Sequence, residues 1–510
     1  MKHLRSLNLS LFLFSLIGLT ATAATKPNVV IIYADDMGYG EIQALNPERS
    51  KIPTPSLNKL AEEGMVFTDA HTTSSVCSPS RYGLLTGRYN WRTTLQRGVL
   101  TGGDAPLIAA DRLTLGKLFQ SQGYKTAIFG KWHLNYSYEV PEGAVKPKRG
   151  KDFLLAAAPV GTHIPDGPLT RGFDVFHGFH HARTMSSIVE GDTIVREIPV
   201  VEVLPEITDA AADFIDDHAA EAKEGKPFFM YFPLSSPHTP IAPAPEWKGK
   251  GVVGTYGDFV AQTDGSVGAV MEALERNGLT ENTIVIFSAD NGTSKAAGIA
   301  ALEKQGHYPS ANLRGSKADL WEGGHRVPFI LRWPEQVKAS SESGQLISLA
   351  DMMATFAEML SVDLADDTAE DSISFYPILA GKELENPRES VVHHSIDGKF
   401  AIRQGDWKLL LAAGSGGWTA PGDAEALAKG LPEMQLYDMP NDIGEEKNLV
   451  AQNPEKVAGM IKLLETYVAE GRSTPGEPQK NDAEIDIWKK GKSDAPKKGK
   501  KKGQKADDGE

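Results

Sequence analysis

Short apolar runs separated by longer amphipathic stretches dominate the first two thirds of the chain. The apolar runs extend from Asn28 to Tyr33, Thr126 to Phe129, Pro227 to Phe232 and Thr283 to Phe287. Uninterrupted runs of this kind are typical of strands buried on both faces of a parallel sheet. Helical spacing of apolar residues predicts helices over residues 111–122, 207–222 and 256–277. This alternation predicts an α/β sandwich with a central, mostly parallel sheet.

Each of the four apolar runs ends in residues that bind metal ions or carry protons. Asp35 and Asp36 follow the first run, and Asp290 and Asn291 follow the last. Ligands of parallel sheets bind beyond the carboxyl ends of the strands, so we expect these side chains to meet. Their oxygens favour Ca²⁺ or Mg²⁺ over zinc. Each pair taken alone is equally typical of an ordinary turn, but two pairs at matching strand ends favour a metal site.

Cations and histidines follow the other two runs and a glycine-rich loop. Lys131 and His133 lie in the sequence GKWHL, His238 lies in SSPHTP, and Lys317 lies in the loop 312–328. Taken singly, such a lysine is more often a surface charge, and such a histidine is more often a satisfied polar residue. Gathered at one sheet edge beside a divalent ion, however, they would bind a compact anion.

The N-terminus has the pattern of an export signal. Lys2 and Arg5 precede an apolar run from Leu9 to Leu19, and small residues follow at 21–23. The run has about half the length needed to span a bilayer. Residues 1–23 are therefore predicted to be a cleaved signal peptide of a bacterial protein that is periplasmic or extracellular. The sequence predicts no membrane anchor.

The composition is that of a globular protein, with 41% hydrophobic residues, 24% charged residues and a net charge of −14. This acidic balance argues against nucleic acid as a partner. Nine lysines nevertheless fall between Lys489 and Lys505. Residues 473–510 are predicted to form a disordered, lysine-rich tail. A solubilising role is favoured over docking to an anionic polymer.

Cys77 is the only cysteine in the 510 residues. An exported chain with one cysteine cannot form an internal disulfide, and a free thiol outside the cytoplasm is easily oxidised unless it is buried or chemically used. Its neighbours Pro79, Ser80 and Arg81 indicate a polar setting rather than a hydrophobic core. A catalytic thiol beside a histidine would leave the predicted metal residues without a role.

Residues 77–81, CSPSR, resemble the C-x-P-S-R signature of type I sulfatases, which belong to the alkaline-phosphatase superfamily. The resemblance continues through LLTGR at 84–88, and GYKTAIFGKWHL at 123–134 is similar to a second signature of that family. The remaining strand-end motifs follow in the order usual for the family, so the resemblance extends from Lys26 to Val450. Arylsulfatase A and N-acetylgalactosamine-6-sulfatases have the most similar pattern.

The resemblance implies a catalytic domain at 26–380 and a C-terminal subdomain at 381–472 with an antiparallel sheet and a helix. The sequence is consistent with this C-terminal subdomain, because residues 402–411 are strand-like. Asn453 and Pro454 also form a good helix start before a segment with one apolar face.

The resemblance also implies that Cys77 is oxidised to Cα-formylglycine by a formylglycine-generating enzyme. One hydroxyl of the hydrated aldehyde attacks sulfur, and the second hydroxyl then allows sulfate to leave. By the same resemblance, a divalent cation, Ca²⁺ or alternatively Mg²⁺, is held by the modified Cys77 together with Asp35, Asp36, Asp290 and Asn291.

Roles of the other site residues are implied in the same way. Arg81 and Lys131 orient the diol, and Lys131 and Lys317 neutralise charge on the sulfate oxygens. His133 assists loss of the second hydroxyl's proton. His238, with Lys317, protonates the leaving alcohol.

A sulfated carbohydrate is the expected substrate, of the galactose- or N-acetylgalactosamine-6-sulfate type. His180, His181 and His394 are candidates for contacts with the sugar. Two other functions stay open. The same site could hydrolyse phosphodiesters or phosphonate monoesters, or the protein could bind sulfated glycans without catalysis. No expected catalytic residue is obviously missing, which disfavours the binding protein.

Overall fold

A computed structural model describes residues 26–102, 105–143 and 158–489 of the chain. The signal peptide predicted at 1–23 and the lysine-rich segment from residue 490 onward lie outside the described residues. Within the described part of the chain, no helix combines the length and apolarity needed to cross a membrane.

The elements of the described residues alternate along the chain as the apolar pattern predicts. The strands are β1 (Asn28–Asp35), β2 (Met65–Phe67), β3 (Ala70–His71), β4 (Lys125–Lys131), β5 (Ser137–Glu139), β6 (His163–Asp166), β7 (Val175–Phe179), β8 (Ser187–Glu190), β9 (Thr193–Glu197), β10 (Phe228–Pro237), β11 (Thr283–Ala289), β12 (Phe329–Arg332), β13 (Ser341–Ser343), β14 (Ile347–Ser348), β15 (Ser390–His394), β16 (Phe400–Gln404), β17 (Trp407–Leu410) and β18 (Gln435–Asp438). The α-helices are α1 (Pro55–Glu63), α2 (Cys77–Thr86), α3 (Leu115–Ser121), α4 (Val200–Lys223), α5 (Thr255–Arg276), α6 (Ile299–Lys304), α7 (Glu322–His325), α8 (Met352–Met359), α9 (Tyr376–Leu379), α10 (Asp423–Ala428) and α11 (Pro454–Glu470).

The large sheet has the strand order β13-β2-β12-β11-β1-β10-β4-β7-β8-β9-β6-β5. Its centre, β11-β1-β10-β4-β7, is parallel, whereas β12 and β8 pair antiparallel with the central strands at either side. Helices α4 and α5 pack against each other and against β10. The predicted α/β architecture with a mostly parallel centre is confirmed, and the antiparallel margins make the whole sheet mixed.

Strand β1 shows how the sequence builds the centre of this sheet. All eight of its residues are buried, because β10 and β11 flank it and helices cover the sheet. β-Branched side chains such as Val29 and Ile31 suit such a strand. The register places Asp35 beside Pro237 and Ala34 beside Ala289. The polar ends of β1, β10 and β11 therefore meet at one edge.

The predicted helices are present with altered ends. Helix α5 agrees with the prediction to within a residue at each end, and α4 begins seven residues earlier than the pattern indicates, at Val200. Helix α3 begins at Leu115 rather than Asp111, because the Thr114 side chain accepts a hydrogen bond from the Lys117 N–H and caps the helix there.

The C-terminal subdomain contains the antiparallel sheet β15-β16-β17-β18 and the helix α11. Residues 402–411, which are strand-like in the sequence, fall largely within the hairpin β16–β17. The chain turns at Gly405, where φ is +54°, a conformation that glycine adopts without strain.

Part of the predicted disordered tail is a packed extension instead. Residues 473–489 run back over the catalytic domain, where Asp482 pairs with Arg88 at 3.0 Å and Asn481 accepts from Arg92 at 3.1 Å. Ile487, within this extension, is itself buried against the C-terminal subdomain. The prediction of disorder was wrong for these residues. Their polar side chains pair with residues nearly 400 positions earlier in the chain, and such distant pairs cannot be recognised from composition.

Candidate active site

The carboxylates that follow β1 and β11 lie together and are buried. The backbone N–H of Asp36 donates to Asp290 Oδ1 at 3.0 Å, and Asn291 Nδ2 donates to Asp36 Oδ1 at 2.8 Å. Three buried oxygens of this group, Asp35 Oδ1, Asp36 Oδ2 and Asn291 Oδ1, have no hydrogen-bond partner. Buried polar atoms are normally satisfied, so these oxygens are available to a cation.

Cys77 is the first residue of α2 and is only 2% exposed. Its Sγ lies 3.4 Å from Lys317 Nζ and 4.0 Å from Asp36 Oδ1. Burial raises the pKa of the thiol to about 12, although Lys131 and Lys317 act in the opposite direction. The encoded side chain is therefore a neutral thiol at physiological pH, at a helix N-terminus that favours anions.

Arg81 and Lys131 join the strand ends to the helix that carries Cys77. Arg81 donates to Asp290 Oδ2 through Nε at 3.1 Å and through NH2 at 2.8 Å, and its NH1 donates to the Lys131 carbonyl at 3.1 Å. Lys131 Nζ lies 2.6 Å from Asp35 Oδ2. Both cations are fully buried. They therefore depend on these carboxylates for charge compensation.

Lys317 completes the ionic cluster through an ion pair with Asp36. Burial opposes the charge on Lys317, but Asp36 and Cys77 outweigh it and raise the pKa of the ammonium group. Burial likewise opposes ionisation of Asp35, yet Lys131 and His238 outweigh it and lower the pKa of that carboxyl to about 2. With Asp290 and Arg81, the cluster has equal numbers of carboxylates and cations.

His133 and His238 approach this cluster from two strands. His238 Nε2 lies 3.6 Å from Asp36 Oδ2 and burial lowers the pKa of the imidazole, although its side chain is 15% exposed. His133 Nε2 lies 3.0 Å from the Leu100 carbonyl, so this nitrogen must be the donor. Its Nδ1 then has a free lone pair, and that buried atom has no hydrogen-bond partner. His133 Nδ1 is thus positioned to accept a proton, although burial and the nearby Lys131 hold the pKa of the imidazole well below its usual value.

Two of the three histidines predicted to contact a sugar lie beside His133. The His181 ring is T-shaped to the His133 ring with a centroid distance of 4.3 Å, and His180 accepts the Asn135 N–H at 3.1 Å. The carbonyl of His394 accepts from Ser74 Oγ at 2.6 Å and from the Ser75 N–H at 3.1 Å, shortly before Cys77, but its side chain is directed away. Its ring accepts from Asn90 Nδ2 at 3.1 Å and is buried. The structure therefore does not bring the His394 side chain into the cluster.

The backbone is strained at two residues of the site. Asp36 has φ of +67° and His133 has φ of +56°, in the left-handed region that side chains other than glycine seldom adopt. Such conformations concentrate at functional sites, where surrounding contacts hold them in place.

Sequence patterns did not reveal the buried carboxylate that supports the turns holding Asp36 and Asn291. Glu41 accepts from Thr293 Oγ1 at 2.7 Å and lies 2.9 Å from His307 Nε2, and the Tyr256 hydroxyl also donates to it. The Thr293 hydroxyl in turn accepts the Gly38 N–H. Glu41 itself belongs to no recognisable motif, and partners separated from it by more than 200 positions carry no local signal.

Comparison with known proteins identifies the family to which this chain belongs. The family model described as Sulfatase matches residues 27–362. The chain belongs to the sulfatase family. It is therefore a sulfate ester hydrolase, and the functional class expected from its signatures is confirmed.

The sulfatase is similar to characterised relatives along most of its length. It is 31% identical over 502 residues to an N-acetylgalactosamine-6-O-sulfatase of Bacteroides thetaiotaomicron, covering 86% of this chain and 93% of that relative. It is 30% identical over 472 residues to human arylsulfatase A, covering 88% of each chain. A solved structure from a glycosaminoglycan-metabolism locus of Bacteroides thetaiotaomicron matches 87% of this chain and 99% of its own, with 30% identity and a TM-score of 0.74.

Mild acid is expected to destabilise the sulfatase because buried histidines stay neutral. Burial lowers the pKa of His394 to about 3, whereas an unfolded histidine has a pKa of about 6.5. Between these values only the unfolded chain binds the proton, so the free energy of unfolding falls as the pH falls. Protonation of His394 in the unfolded chain should lower the free energy of unfolding by about 2 kcal/mol between pH 7 and pH 5. Denaturant unfolding at pH 7 and pH 5 measures it.

His394→Asn, which keeps an acceptor for Asn90, should reduce that loss between pH 7 and pH 5. The matched control is His163→Asn, since the His163 side chain is 45% exposed. An unchanged pH dependence in His394→Asn would contradict the expectation.

Proposed function

We propose that this sulfatase removes sulfate from a sulfated carbohydrate, using a formylglycine made from Cys77 and a divalent cation. One observation carries the proposal. Cys77 Sγ, at the N-terminus of α2, lies within 4.0 Å of both Lys317 Nζ and Asp36 Oδ1, beside buried oxygens that lack hydrogen-bond partners. A nucleophile, a cation site and buried positive charges thus surround one space.

The residues present fit a divalent cation. Asp35, Asp36, Asp290 and Asn291 would hold it through oxygens, the donor type that Ca²⁺ prefers, and Mg²⁺ is the alternative. Three of these side chains have an unpartnered buried oxygen. When bound, the ion would draw electron density from a sulfate oxygen and make sulfur more electrophilic. Its charge of +2 would also attract the singly charged sulfate ester to a cluster whose own formal charges cancel.

Conversion of Cys77 explains how a poor nucleophile can occupy this position. The thiol has its pKa raised to about 12 by burial, so the thiolate is scarce at neutral pH. A hydrated formylglycine would supply one hydroxyl to attack sulfur and a second to help sulfate leave. Lys317 lies 3.4 Å from the Cys77 side chain and would orient a hydroxyl there.

The remaining residues of the chain divide the proton and charge transfers. Arg81 and Lys131 fix the position of the nucleophile through Asp290 and Asp35. His133 would accept a proton at its unpartnered Nδ1. His238, with Lys317 beside it, would give a proton to the leaving alcohol, and the raised pKa of Lys317 keeps its ammonium group charged next to the sulfate oxygens.

A sulfated sugar is the proposed substrate because of the relatives. An N-acetylgalactosamine-6-O-sulfatase covers most of the chain, and the matched solved structure belongs to glycosaminoglycan metabolism. We propose a galactose- or N-acetylgalactosamine-6-sulfate in particular, with His180 and His181 beside the sugar.

Maturation and export form part of the same proposal. Cys77 is 2% exposed, so a formylglycine-generating enzyme would have to reach it before the chain folds. Export through the N-terminal signal would then deliver the modified enzyme to the periplasm or the extracellular medium. Sulfated polysaccharides of the surroundings would be accessible there.

Peptide mass measurement and paired assays test this function. The peptide containing Cys77 from active enzyme should carry formylglycine, which is lighter than cysteine because oxygen replaces sulfur. The 6-sulfate of N-acetylgalactosamine should be hydrolysed faster than the 6-phosphate or a phosphonate monoester of the same sugar. Activity with an unmodified cysteine would contradict the mechanism. Faster hydrolysis of the phosphorus esters would support the alternative function, hydrolysis of phosphodiesters or phosphonate monoesters. Binding without turnover would support a glycan-binding protein.

A further inference from the structure

Glu41 is a fully buried carboxylate five residues after Asp36, and it takes no part in the proposed proton and charge transfers. Its Oε1 accepts hydrogen bonds from Thr293 Oγ1 at 2.7 Å and from the Tyr256 hydroxyl. Its Oε2 lies 2.9 Å from His307 Nε2. Side chains from three other segments of the chain therefore converge on this one carboxylate.

The directions of these hydrogen bonds indicate that Glu41 is ionised. The backbone N–H of Lys51 donates to His307 Nδ1 at 3.1 Å, so His307 Nε2 carries the proton and donates to the carboxylate. The Gly38 N–H donates to Thr293 Oγ1 at 3.0 Å, and the hydroxyl hydrogen of Thr293 is therefore available to Glu41. Together with the Tyr256 hydroxyl, these groups place three donors on two oxygens, the pattern of an ionised carboxylate.

The charge of Glu41 is not balanced by a basic side chain. Among the residues that the structure describes, no lysine or arginine forms an ion pair with it. The catalytic cluster has three carboxylates and three cations, namely Asp35, Asp36, Asp290, Arg81, Lys131 and Lys317. Glu41 therefore adds one negative charge next to a cluster whose own formal charges cancel. A buried anion of this kind is costly without a cation nearby, and a divalent ion at the strand ends would supply one.

Thr293 connects this carboxylate to both turns of the cation site. It lies two residues after Asn291, and the Gly38 N–H that it accepts lies two residues after Asp36. A Cβ atom at Gly38 would lie only 2.6 Å from Thr293 Oγ1, so the two turns approach too closely for any side chain at that position. Glu41 therefore holds the hydroxyl that joins the chain segments following β1 and β11.

We propose that Glu41, acting through Thr293, is a positioning residue that sets the affinity of the active site for its divalent cation. This inference rests on the proposed function, since it presupposes the cation site at the ends of β1 and β11. The link fixes the Asp36 and Asn291 turns relative to each other before the ion binds, so less conformational freedom is lost on binding. The negative charge of Glu41 further favours the occupied site.

Thr293→Val tests the link while it keeps the shape of the side chain. Valine cannot accept the Gly38 N–H or donate to Glu41, so the dissociation constant of the cation should rise about tenfold. Titration calorimetry of chelator-treated, formylglycine-containing enzyme with Ca²⁺ and, separately, with Mg²⁺ measures this constant without any substrate. Thr293→Ser keeps the hydroxyl and should bind the cation within about twofold of wild type, well below a tenfold step.

Glu41→Gln isolates the contribution of charge, because the amide oxygen can still accept from Thr293. Its dissociation constant for the cation should rise about 10- to 100-fold, the usual effect of replacing a residue that orients metal ligands. Asp264→Asn is the matched control. Asp264 is likewise a buried carboxylate that accepts from neutral groups, the backbone N–H groups of Ser56 at 3.0 Å and Leu57 at 2.8 Å. That variant should be less stable but bind the cation with wild-type affinity.

The dependence of activity on cation concentration separates positioning of the ligands from general damage to the fold. At a cation concentration near the wild-type dissociation constant, Glu41→Gln and Thr293→Val should hydrolyse N-acetylgalactosamine-6-sulfate much more slowly than wild type. Saturating cation should restore kcat to within about twofold of wild type, because mass action fills the weakened site. A purely structural defect would not respond to the cation in this way.

Wild-type cation affinity in Glu41→Gln would overturn the inference, and so would an equal loss of affinity in Asp264→Asn. If Thr293→Val does not fold, Glu41→Gln and Thr293→Ser still decide the outcome. These results leave the proposed function intact when the wild-type enzyme binds a cation and hydrolyses the sulfated sugar. Cation binding by wild type without hydrolysis of any sulfated sugar would overturn the proposed substrate and leave this inference standing. Absence of cation binding in wild type would overturn the cation site and, with it, the role of Glu41.

Discussion

Replacing Cys77 with alanine is expected to abolish sulfate ester hydrolysis. Alanine removes the sulfur atom that lies 3.4 Å from Lys317 Nζ and 4.0 Å from Asp36 Oδ1, and it cannot be converted to an aldehyde. Loss of a catalytic nucleophile typically lowers kcat by about 10⁴-fold or more. Steady-state assays of enzyme produced together with a formylglycine-generating enzyme measure this effect. Because alanine fits the buried space left by the thiol, thermal unfolding should change little.

Cys77→Ser distinguishes the proposed chemistry from simple loss of a side chain. Serine has a single hydroxyl, so it would take up a sulfate group and have no second hydroxyl to help release it. Intact-protein mass spectrometry after incubation with substrate should therefore show one added SO₃ group and no continued turnover. Wild-type rates in either variant would contradict the assignment of Cys77 as the precursor of the nucleophile.

Replacing Asp36 with asparagine is expected to have the second largest effect. Asp36 Oδ2 is one of the unpartnered buried oxygens, and Oδ1 pairs with Lys317. Asparagine removes a negative charge from the cation site and leaves Lys317 without its ion-pair partner, so kcat should fall by about 10³-fold. Elemental analysis of purified protein should find one Ca²⁺ or Mg²⁺ in wild type and none in Asp36→Asn.

Thermal stability gives a second measurement that does not depend on activity. A ligand that binds only the folded state raises the unfolding temperature, so chelation should lower it in wild type and leave it unchanged in Asp36→Asn. Asp371→Asn is the matched control, because Asp371 is also a fully buried carboxylate that is paired with a cation, Arg92, at 2.7 Å. That variant should be less stable but retain the metal. Full activity of metal-free enzyme would contradict the cation site.

Much of the candidate site was visible in the sequence because it lies at strand ends. Buried parallel strands have a strong local signature, and their carboxyl ends must meet at one edge. Asp35, Lys131, His238 and Asp290 could therefore be grouped from the sequence, and the fold brings their side chains together. The predicted ends of helices and strands were less accurate. For example, α3 begins at Leu115 and not at Asp111 as predicted.

Features that depend on distant partners could not be predicted in the same way. Residues 473–489 have the polar composition of a disordered tail. Asp482 nevertheless forms an ion pair with Arg88, which lies two residues after the end of α2. Glu41 has no local motif, although it links Thr293, His307 and Tyr256. His394 resembled a substrate contact in the sequence, but its ring is buried against Asn90. Tertiary packing decides which side chains meet when they are hundreds of residues apart, and such contacts produce no periodic pattern in the sequence.

The sequence by itself determined the α/β fold class, the four polar strand ends and the chemistry available at them, since periodicity and residue type are local properties. Only the tertiary structure decided which polar atoms stay unpartnered. It satisfies His133 Nε2 through Leu100 and leaves Nδ1 free, and it leaves an oxygen open on Asp36 and on Asn291. The physical reason is that burial and hydrogen bonding are properties of the whole packed chain, in which each group competes for its partners.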